Sequence, residues 1–336
     1  MRAVAIGADR GLELIDAPQA PVMAGEVRLD VAYCGICGSD LHMLDMPGVP
    51  AGLVLGHELA GSVSEVGEAV AGWSVGDRVT VLPIVPCGEC YACRGGHDHL
   101  CENGLSRGPG LGRAGGYAET VVVPAGMLRR LPDGVSEAHG ALTEPLAVAI
   151  RAIALAEPSQ ETGVWVIGAG PIGVMTAAGL RARGVRRVVV VEVNPARREM
   201  VERLGFSTAA PGAAAASAEE LFGAAAATVA IDCSGHPSGT PLAVGLLPPA
   251  GRLVVVGIPG EPAPLDLTAV AMKELSIRGS LAYSTRDFAE ALDHIAAGRI
   301  PCEQIVTAVA GLDEAPRWFD DLRSGATPHL KVLLRP

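Results

Sequence analysis

Aromatic side chains make up only 3% of this 336-residue chain. It therefore builds no platform of stacked rings of the kind single-stranded nucleic acid needs. Positive charge is also short: 26 lysines and arginines stand against 37 aspartates and glutamates, a formal net charge of −11. That field repels phosphate backbones and anionic membranes, so neither nucleic acid nor membrane is an expected partner. Long apolar runs are missing too. The best candidate for a span of roughly 18 residues, Pro241 to Ile258, is broken by three prolines and by Arg252. The start, Met1 to Arg10, carries an apolar stretch too brief for a signal-peptide core, and a cytoplasmic location is expected.

What is present is core-forming material. Hydrophobic residues are 49% and charged residues 19%, with mean hydropathy +0.34, and the length predicts two domains around two cores. The 43 glycines favour tight turns and close-packed backbone. From Val4 to about Val123, short β-type runs (Glu26–Val31, Leu59–Val66, Asp77–Leu82, Tyr117–Val123) are punctuated by glycine and read as an irregular β-rich domain. Leu105 to Gly116 reads as a surface loop. A helical stripe, Leu146, Ile150, Ile153 and Ala154, leads into a second region of alternating strands (164–167, 188–192, 228–232, 252–257) and helices (172–183, 195–204). That alternation means a parallel, doubly wound sheet. The alanine-rich runs at 213–216 and 224–227 read as a helix and its exit, and an amphipathic helix (288–297) and a strand (331–334) close the chain.

Eight cysteines in a reducing compartment are better read as metal ligands or nucleophiles than as disulfides. Cys87, Cys90, Cys93 and Cys101 form C-x2-C-x2-C-x7-C on a loop shaped by Pro86, Gly88, Gly95 and Gly96. Tetrahedral zinc takes four sulfurs about 2.3 Å away and leaves no open position, which makes a structural site; an iron–sulfur cluster would accept the same four. His97 and His99, inside the loop, read as solvated neighbours. A second, mixed set sits upstream, where residues 33–42 read YCGICGSDLH and residues 56–58 read GHE. Thiolate, imidazole and carboxylate together bind zinc while leaving room for a substrate oxygen. Cys34 and Cys37 also have the spacing of a redox pair, but Ser39, Asp40 and His42 supply what a zinc alcohol site needs: a hydroxyl to hand on a proton and an acid to orient the imidazole. Cys37 is read as ligand and Cys34 as packing. His57 is the imidazole ligand. The carboxylate is either Glu58 or Glu144, the latter opening the helix TEPLAVAI, where an acid is also favoured by the helix dipole alone.

Residues 164–173, VWVIGAGPIG, run an apolar strand into Gly168-x-Gly170-x-x-Gly173, with Pro171 and Ile172 between the last two glycines and an apolar helix following. The glycines let backbone approach a pyrophosphate seated on the helix N-terminus. Glu192 closes the next strand 19 residues beyond Gly173, where a carboxylate accepts from ribose hydroxyls and repels a 2′-phosphate, favouring NAD over NADP. Arg197 and Arg198, just downstream, could instead neutralise that phosphate, so NADP stays open.

Taken together, CGICGSDLH, GHE, the four-cysteine loop, GGYAETVVVP (115–124), EPLAVAI and GAGPIG resemble, over nearly the whole chain, the zinc-containing medium-chain alcohol/polyol dehydrogenase family. The resemblance implies an α/β protein: a GroES-like β-rich catalytic domain over 1–145, completed by 284–336, and a Rossmann cofactor domain over 146–283. It implies two zinc ions per chain, one catalytic and one structural. Cys37 and His57 become catalytic zinc ligands, Ser39 and His42 a proton relay, and Asp40 the support of His57. Glu144, where the alcohol branch typically has cysteine, is similar to the sorbitol, threonine and butanediol dehydrogenase branches. A secondary alcohol or polyol is thus the implied substrate, NAD the hydride acceptor, and a homodimer or homotetramer the assembly. Arg151 departs from the histidine of many relatives, and Met43–Leu55, which lines the implied substrate pocket, matches no named branch. Two other readings compete: an NADPH-dependent ketone or aldehyde reductase, and a catalytically silent dinucleotide-binding protein. The presence of Cys37, Ser39, His42, His57 and Glu144 together argues against the second.

Overall fold

The computed structural model describes every residue except 224, 225, 326 and 328. The alanine-rich run at 224–227 therefore lies partly outside the described residues; just upstream, Pro211–Ala214 and Ala218–Phe222 are short helices. The chain divides into two compact units, Met1–Glu144 with Ile305–Pro336, and Pro145–Gln304.

In the first unit, β1 (Arg2–Ile6) and β2 (Leu12–Asp16) pair antiparallel. The long strand β3 (Glu26–Gly35) buries Val27, Leu29 and Val31 at the period of two that a pleated strand imposes, while Asp30 faces out. It pairs antiparallel with β4 (Glu58–Val66), and this register sets Gly35 opposite Glu58 and Cys34 opposite Leu59. Thus the end of one strand and the start of the other meet side by side. Helix α1 (Gly38–Asp45) leaves at that point, and β5 (Arg78–Val81), β6 (Thr120–Pro124) and β7 (Leu128–Arg130) extend the sheet. Leu105 to Gly116 departs from the expected surface loop: Gly108, Pro109, Gly110, Gly115 and Gly116 are buried. Gly115 and Gly116 donate their N–H groups to Val54 O and Gly56 O at 2.9 and 2.8 Å. Those bonds satisfy backbone that would otherwise be stranded in the core.

Helix α2 (Thr143–Ala156) carries the chain out of this unit. The second unit follows as β8 (Gly163–Ile167), α3 (Pro171–Ala182), β9 (Val188–Val191), α4 (Pro195–Arg203), β10 (Ser207–Ala209), β11 (Ala227–Asp232), α5 (Gly239–Leu246), β12 (Arg252–Val255), β13 (Ser276–Gly279) and α6 (Thr285–Ala296). Its strands lie parallel in the order β10-β9-β8-β11-β12-β13. The inner strands β8, β9, β11 and β12 are near-continuous hydrophobic runs, as a sheet covered on both faces requires, while the edge strands β10 and β13 are polar and more exposed. Strand order reverses between β8 and β11, the point where open α/β sheets bind ligands beyond their carboxyl ends.

The chain re-enters the first unit at Ile305, after α6, whereas the sequence reading sets the return at 284. The amphipathic pattern of α6 fits either unit; a contact distant in sequence decides it. Arg183, just beyond α3, grips Glu290 of α6 through Nε and Nη2 at 2.6 and 2.9 Å. The last strands, β14 (Val306–Gly311) and β15 (Lys331–Arg335), complete a seven-stranded sheet in the order β14-β15-β3-β4-β5-β7, with β6 also on β3. Leu333 lies opposite Gly35, which brings β15 to the same end of β3 as Glu58. Among the described residues no helix is long and apolar enough to cross a membrane.

Candidate metal and cofactor sites

Where β3, β4 and β15 meet, Cys37, His57 and Glu58 each bring one ligand atom within 4.8 Å of the others. Cys37 precedes α1, and Asp40, in the helix's first turn, turns back to accept the Cys37 N–H on Oδ2 at 3.0 Å, a cap that fixes the sulfur's position. The other Asp40 oxygen faces His57 Nδ1 at 3.4 Å, with both residues buried. Nε2 is therefore turned toward Ser39 Oγ, 3.5 Å away, and Ser39 donates to Cys37 Sγ at 3.2 Å. Burial works against a charged imidazole here, but the Asp40 carboxylate and then the Cys37 sulfur outweigh it, holding the His57 pKa well above its ordinary value. His42 is exposed on α1, three residues beyond Ser39 and hence on the same helix face.

Glu58 and Glu144 differ in their surroundings. Glu58 is fully buried and takes two hydrogen bonds from Lys331 Nζ, at 2.8 and 2.7 Å, while the same ammonium donates to Ile36 O at 2.9 Å. Burial disfavours the charged lysine, but the Glu58 charge outweighs it and raises the Lys331 pKa. Glu144 is buried at the start of α2 and its charge also reaches Lys331, yet it lies outside the tight Cys37, His57, Glu58 group. Cys34 is fully buried; burial first, then the Asp40 charge, pushes its thiol up. Among the described residues all eight cysteines are free.

The four-cysteine loop closes on itself. The sulfurs of Cys87, Cys90, Cys93 and Cys101 lie within 4.8 Å of one another, with Cys87 and Cys93 3.9 Å apart. A tetrahedral zinc with sulfurs about 2.3 Å away needs sulfurs roughly 3.8 Å apart, so this set fits one ion with no position left for substrate. Backbone N–H groups point at the sulfurs as they do around a thiolate centre: Cys87 N to Cys101, Cys90 N to Cys87 and Cys93 N to Cys90, at 3.3, 3.3 and 3.5 Å. The Cys93 and Glu102 N–H groups bring the Cys90 pKa down to about 6, whereas burial pushes Cys93 up to about 12. His97 is exposed and His99 is buried beside the loop.

In the second unit the chain turns from β8 through Gly168, Ala169 and Gly170 into α3, which begins with Pro171. A side chain at Gly173 would meet Gly168 O at 1.9 Å, so glycine is obligatory for the helix to start so close to the strand. Glu192 is buried just past β9. Its oxygens accept Ala169 N–H at 2.7 Å and Asn194 N–H at 2.8 Å, which ties the acidic residue to the glycine turn itself. Arg198 spends Nη1 on the carbonyls of Glu192 and Val193. Arg197 sits in the first turn of α4, where Asn194 Oδ1 accepts its N–H at 3.4 Å. Arg151 faces Asp287 at 3.9 Å.

Three residues that sequence reasoning passed over matter to this geometry: Lys331, Tyr117 and Arg10. Tyr117 donates its hydroxyl to Asp40 Oδ2 at 2.5 Å. Arg10 donates to the carbonyls of Met43, Leu44, Met46 and Val49, holding the end of α1 and the segment beyond it. A lysine at a core-facing position among Leu330, Val332 and Leu333 is the one signal that pointed to any of them.

Residues 23–133 match the alcohol dehydrogenase GroES-like domain and residues 171–297 the zinc-binding dehydrogenase domain. The chain is 33% identical over 333 residues to 2-dehydro-3-deoxy-L-galactonate 5-dehydrogenase of Pseudoalteromonas atlantica, covering 97% of this chain and 96% of the relative. It is 31% identical to L-threonine 3-dehydrogenase of Shewanella pealeana, with the same coverage. A short chain alcohol dehydrogenase from Escherichia coli CFT073, crystallised with NADH, superposes with a TM-score of 0.90 at 30% identity, covering 100% of this chain and 99% of that one. The chain belongs to the zinc-containing medium-chain alcohol/polyol dehydrogenase family, with a GroES-like and a Rossmann domain.

Proposed function

We propose that Cys37, His57 and Glu58 hold the catalytic zinc of this NAD-dependent dehydrogenase of secondary alcohols and polyols, that Cys87, Cys90, Cys93 and Cys101 hold a structural zinc, and that the Gly168–Gly173 turn with Glu192 holds NAD. The observation that carries the reading is the convergence of sulfur, imidazole and carboxylate within 4.8 Å, beside an exposed serine hydroxyl. The donor set fits zinc: Nδ1 faces Asp40, so Nε2 is left to the metal, and three protein ligands leave a position for substrate. When bound, the zinc supplies a Lewis acid that lowers the pKa of a hydroxyl, and the nicotinamide supplies a hydride acceptor.

The chain does the rest. Ser39, hydrogen-bonded to Cys37, takes the proton released by the substrate hydroxyl, and His42 on the same face of α1 passes it to solvent. Asp40 fixes the ring of His57, and Lys331 holds Glu58 in place and balances its charge inside the sheet. Glu144 stays a buried neighbour that adds negative charge near Lys331. Glu192 favours NAD, because a 2′-phosphate would meet a buried carboxylate. In this reading the Met1–Glu144 and Ile305–Pro336 unit is the catalytic domain, Pro145–Gln304 the cofactor domain, and the enzyme a cytoplasmic homodimer or homotetramer.

Metal content and activity of variants test the assignment. Wild-type protein should carry two zinc ions and oxidise members of a panel of polyols, amino alcohols and cyclitols with NAD. Cys37→Ala should lose one zinc and all turnover, and Cys90→Ala the other zinc and mainly stability. Glu58→Gln should weaken the catalytic zinc more than Glu144→Gln; the reverse order would hand the ligand role to Glu144.

A further inference from the structure

Tyr117 is fully buried, yet carries a hydroxyl into the protein behind the Cys37–His57 centre. Its single hydroxyl hydrogen goes to Asp40 Oδ2 at 2.5 Å, the nearer and charged of its two acceptors; Gly35 O is 3.2 Å away. With the Cys37 N–H, two donors thus hold one Asp40 oxygen and leave the other to His57. Neither Asp40 Oδ1 nor His57 Nδ1 has any hydrogen-bond partner among the described residues, so the two face only each other. The tyrosine ring also presses on the backbone beside His57. Gly56 has φ +96°, and a Cβ there would meet ring atoms of Tyr117 at 2.5 and 2.7 Å. The backbone of Tyr117 closes the contact by donating to Leu55 O at 3.0 Å. One side chain therefore touches both supports of the imidazole, its carboxylate and its main chain.

We propose that Tyr117 is a positioning residue for the catalytic metal: its hydroxyl locks the Asp40 carboxylate in the rotamer that turns His57 Nε2 toward Cys37. The proposal rests on the zinc reading above. Groups one step behind a metal ligand are worth 10–100-fold in metal affinity. Tyr117 acts through such a group, and its hydroxyl should contribute about tenfold, the low end of that range.

The test is chelator competition on the two-zinc protein. Tyr117→Phe, which keeps the ring, should release the catalytic zinc at about tenfold lower chelator activity, with the four-cysteine zinc unchanged. Asp40→Asn should weaken the same zinc at least as much, and adding Tyr117→Phe to it should cost nothing more, because the hydroxyl, the only group the phenylalanine lacks, works through the carboxylate. Wild-type zinc affinity in Tyr117→Phe, or losses that simply add in the double variant, would overturn the proposal. Should Asp40→Asn not fold, the visible absorption of cobalt in the catalytic site decides: shifted bands in Tyr117→Phe support the role and superimposable spectra refute it. A wild-type protein whose metal content is untouched by Cys37→Ala would instead sink the zinc assignment itself.

Discussion

Replacing Lys331 by methionine isolates the strongest electrostatic feature of the first unit. Lys331 is 1% exposed, and its ammonium makes three hydrogen bonds, two to Glu58 and one to Ile36 O. Methionine keeps most of the volume but leaves a buried carboxylate without its counter-charge. Breaking a buried pair from one side costs about 3–5 kcal/mol, whereas removing both partners together is often close to neutral. In a unit of this size each kcal/mol moves the melting temperature by about 2–4 °C, so metal-free Lys331→Met should melt roughly 6–20 °C below wild type. Adding Glu58→Gln should restore most of the loss, since the stranded charge is gone. Saturating with zinc should also reduce the loss, since zinc gives the carboxylate another positive partner. Calorimetry of the three proteins with and without metal reads all of this. A single variant as stable as wild type, or a double variant as unstable as the single, would show that the pair is not what organises this junction.

Other expectations follow from separate parts of the structure. Arg10→Ala removes donors to four carbonyls at the end of α1 and beyond, and should destabilise by about 2–3 kcal/mol while speeding hydrogen exchange across residues 43–49; unaltered exchange there would remove the anchor role. Glu192→Ala should lower the preference for NADH over NADPH on the order of tenfold in binding titrations, because a like-charge clash of that kind costs more than a kcal/mol; wild-type protein that binds NADPH at least as tightly would reverse the cofactor assignment. Zinc uptake by the four-cysteine loop should release protons near neutral pH, because Cys93, pushed up to about 12, must surrender its hydrogen on binding; affinity should therefore already fall as pH is lowered through neutrality, and fall more steeply below about 6, where Cys90 becomes protonated too. Calorimetric titration in buffers of different ionisation enthalpy measures both, and proton-independent binding would contradict the thiolate set.

Features that depend on neighbours in sequence were legible before the structure. The four-cysteine loop, the glycine turn of residues 168–173 and the GHE triplet each carry their chemistry within a few residues, so spacing alone displays it. Contacts across sequence were not. Lys331 reaches Glu58 across 273 residues and Tyr117 reaches Asp40 across 77; the β3–β4 and β3–β15 registers bring the first pair together, and backbone bonds of Tyr117 to Leu55 and Val4 place the second. The choice between Glu58 and Glu144 was not legible for the same reason, and the metal affinities of Glu58→Gln and Glu144→Gln decide it; the re-entry point was hidden because the apolar stripe of α6 reads alike whichever sheet it covers. Leu105 to Gly116 misled because glycine-rich segments without periodicity signal a loop but not whether that loop runs over the surface or dives beneath it.

The proposed chemistry depends on an open zinc centre formed by Cys37, His57 and a carboxylate. Diffraction from zinc-loaded crystals, measured on both sides of the zinc absorption edge, tests it most directly. Two anomalous peaks are predicted, one enclosed by Cys87, Cys90, Cys93 and Cys101, the other bounded by Cys37, His57 and Glu58 with a non-protein oxygen in its remaining position. A single peak within the four sulfurs, or a second one sealed by protein groups on every side, would contradict it.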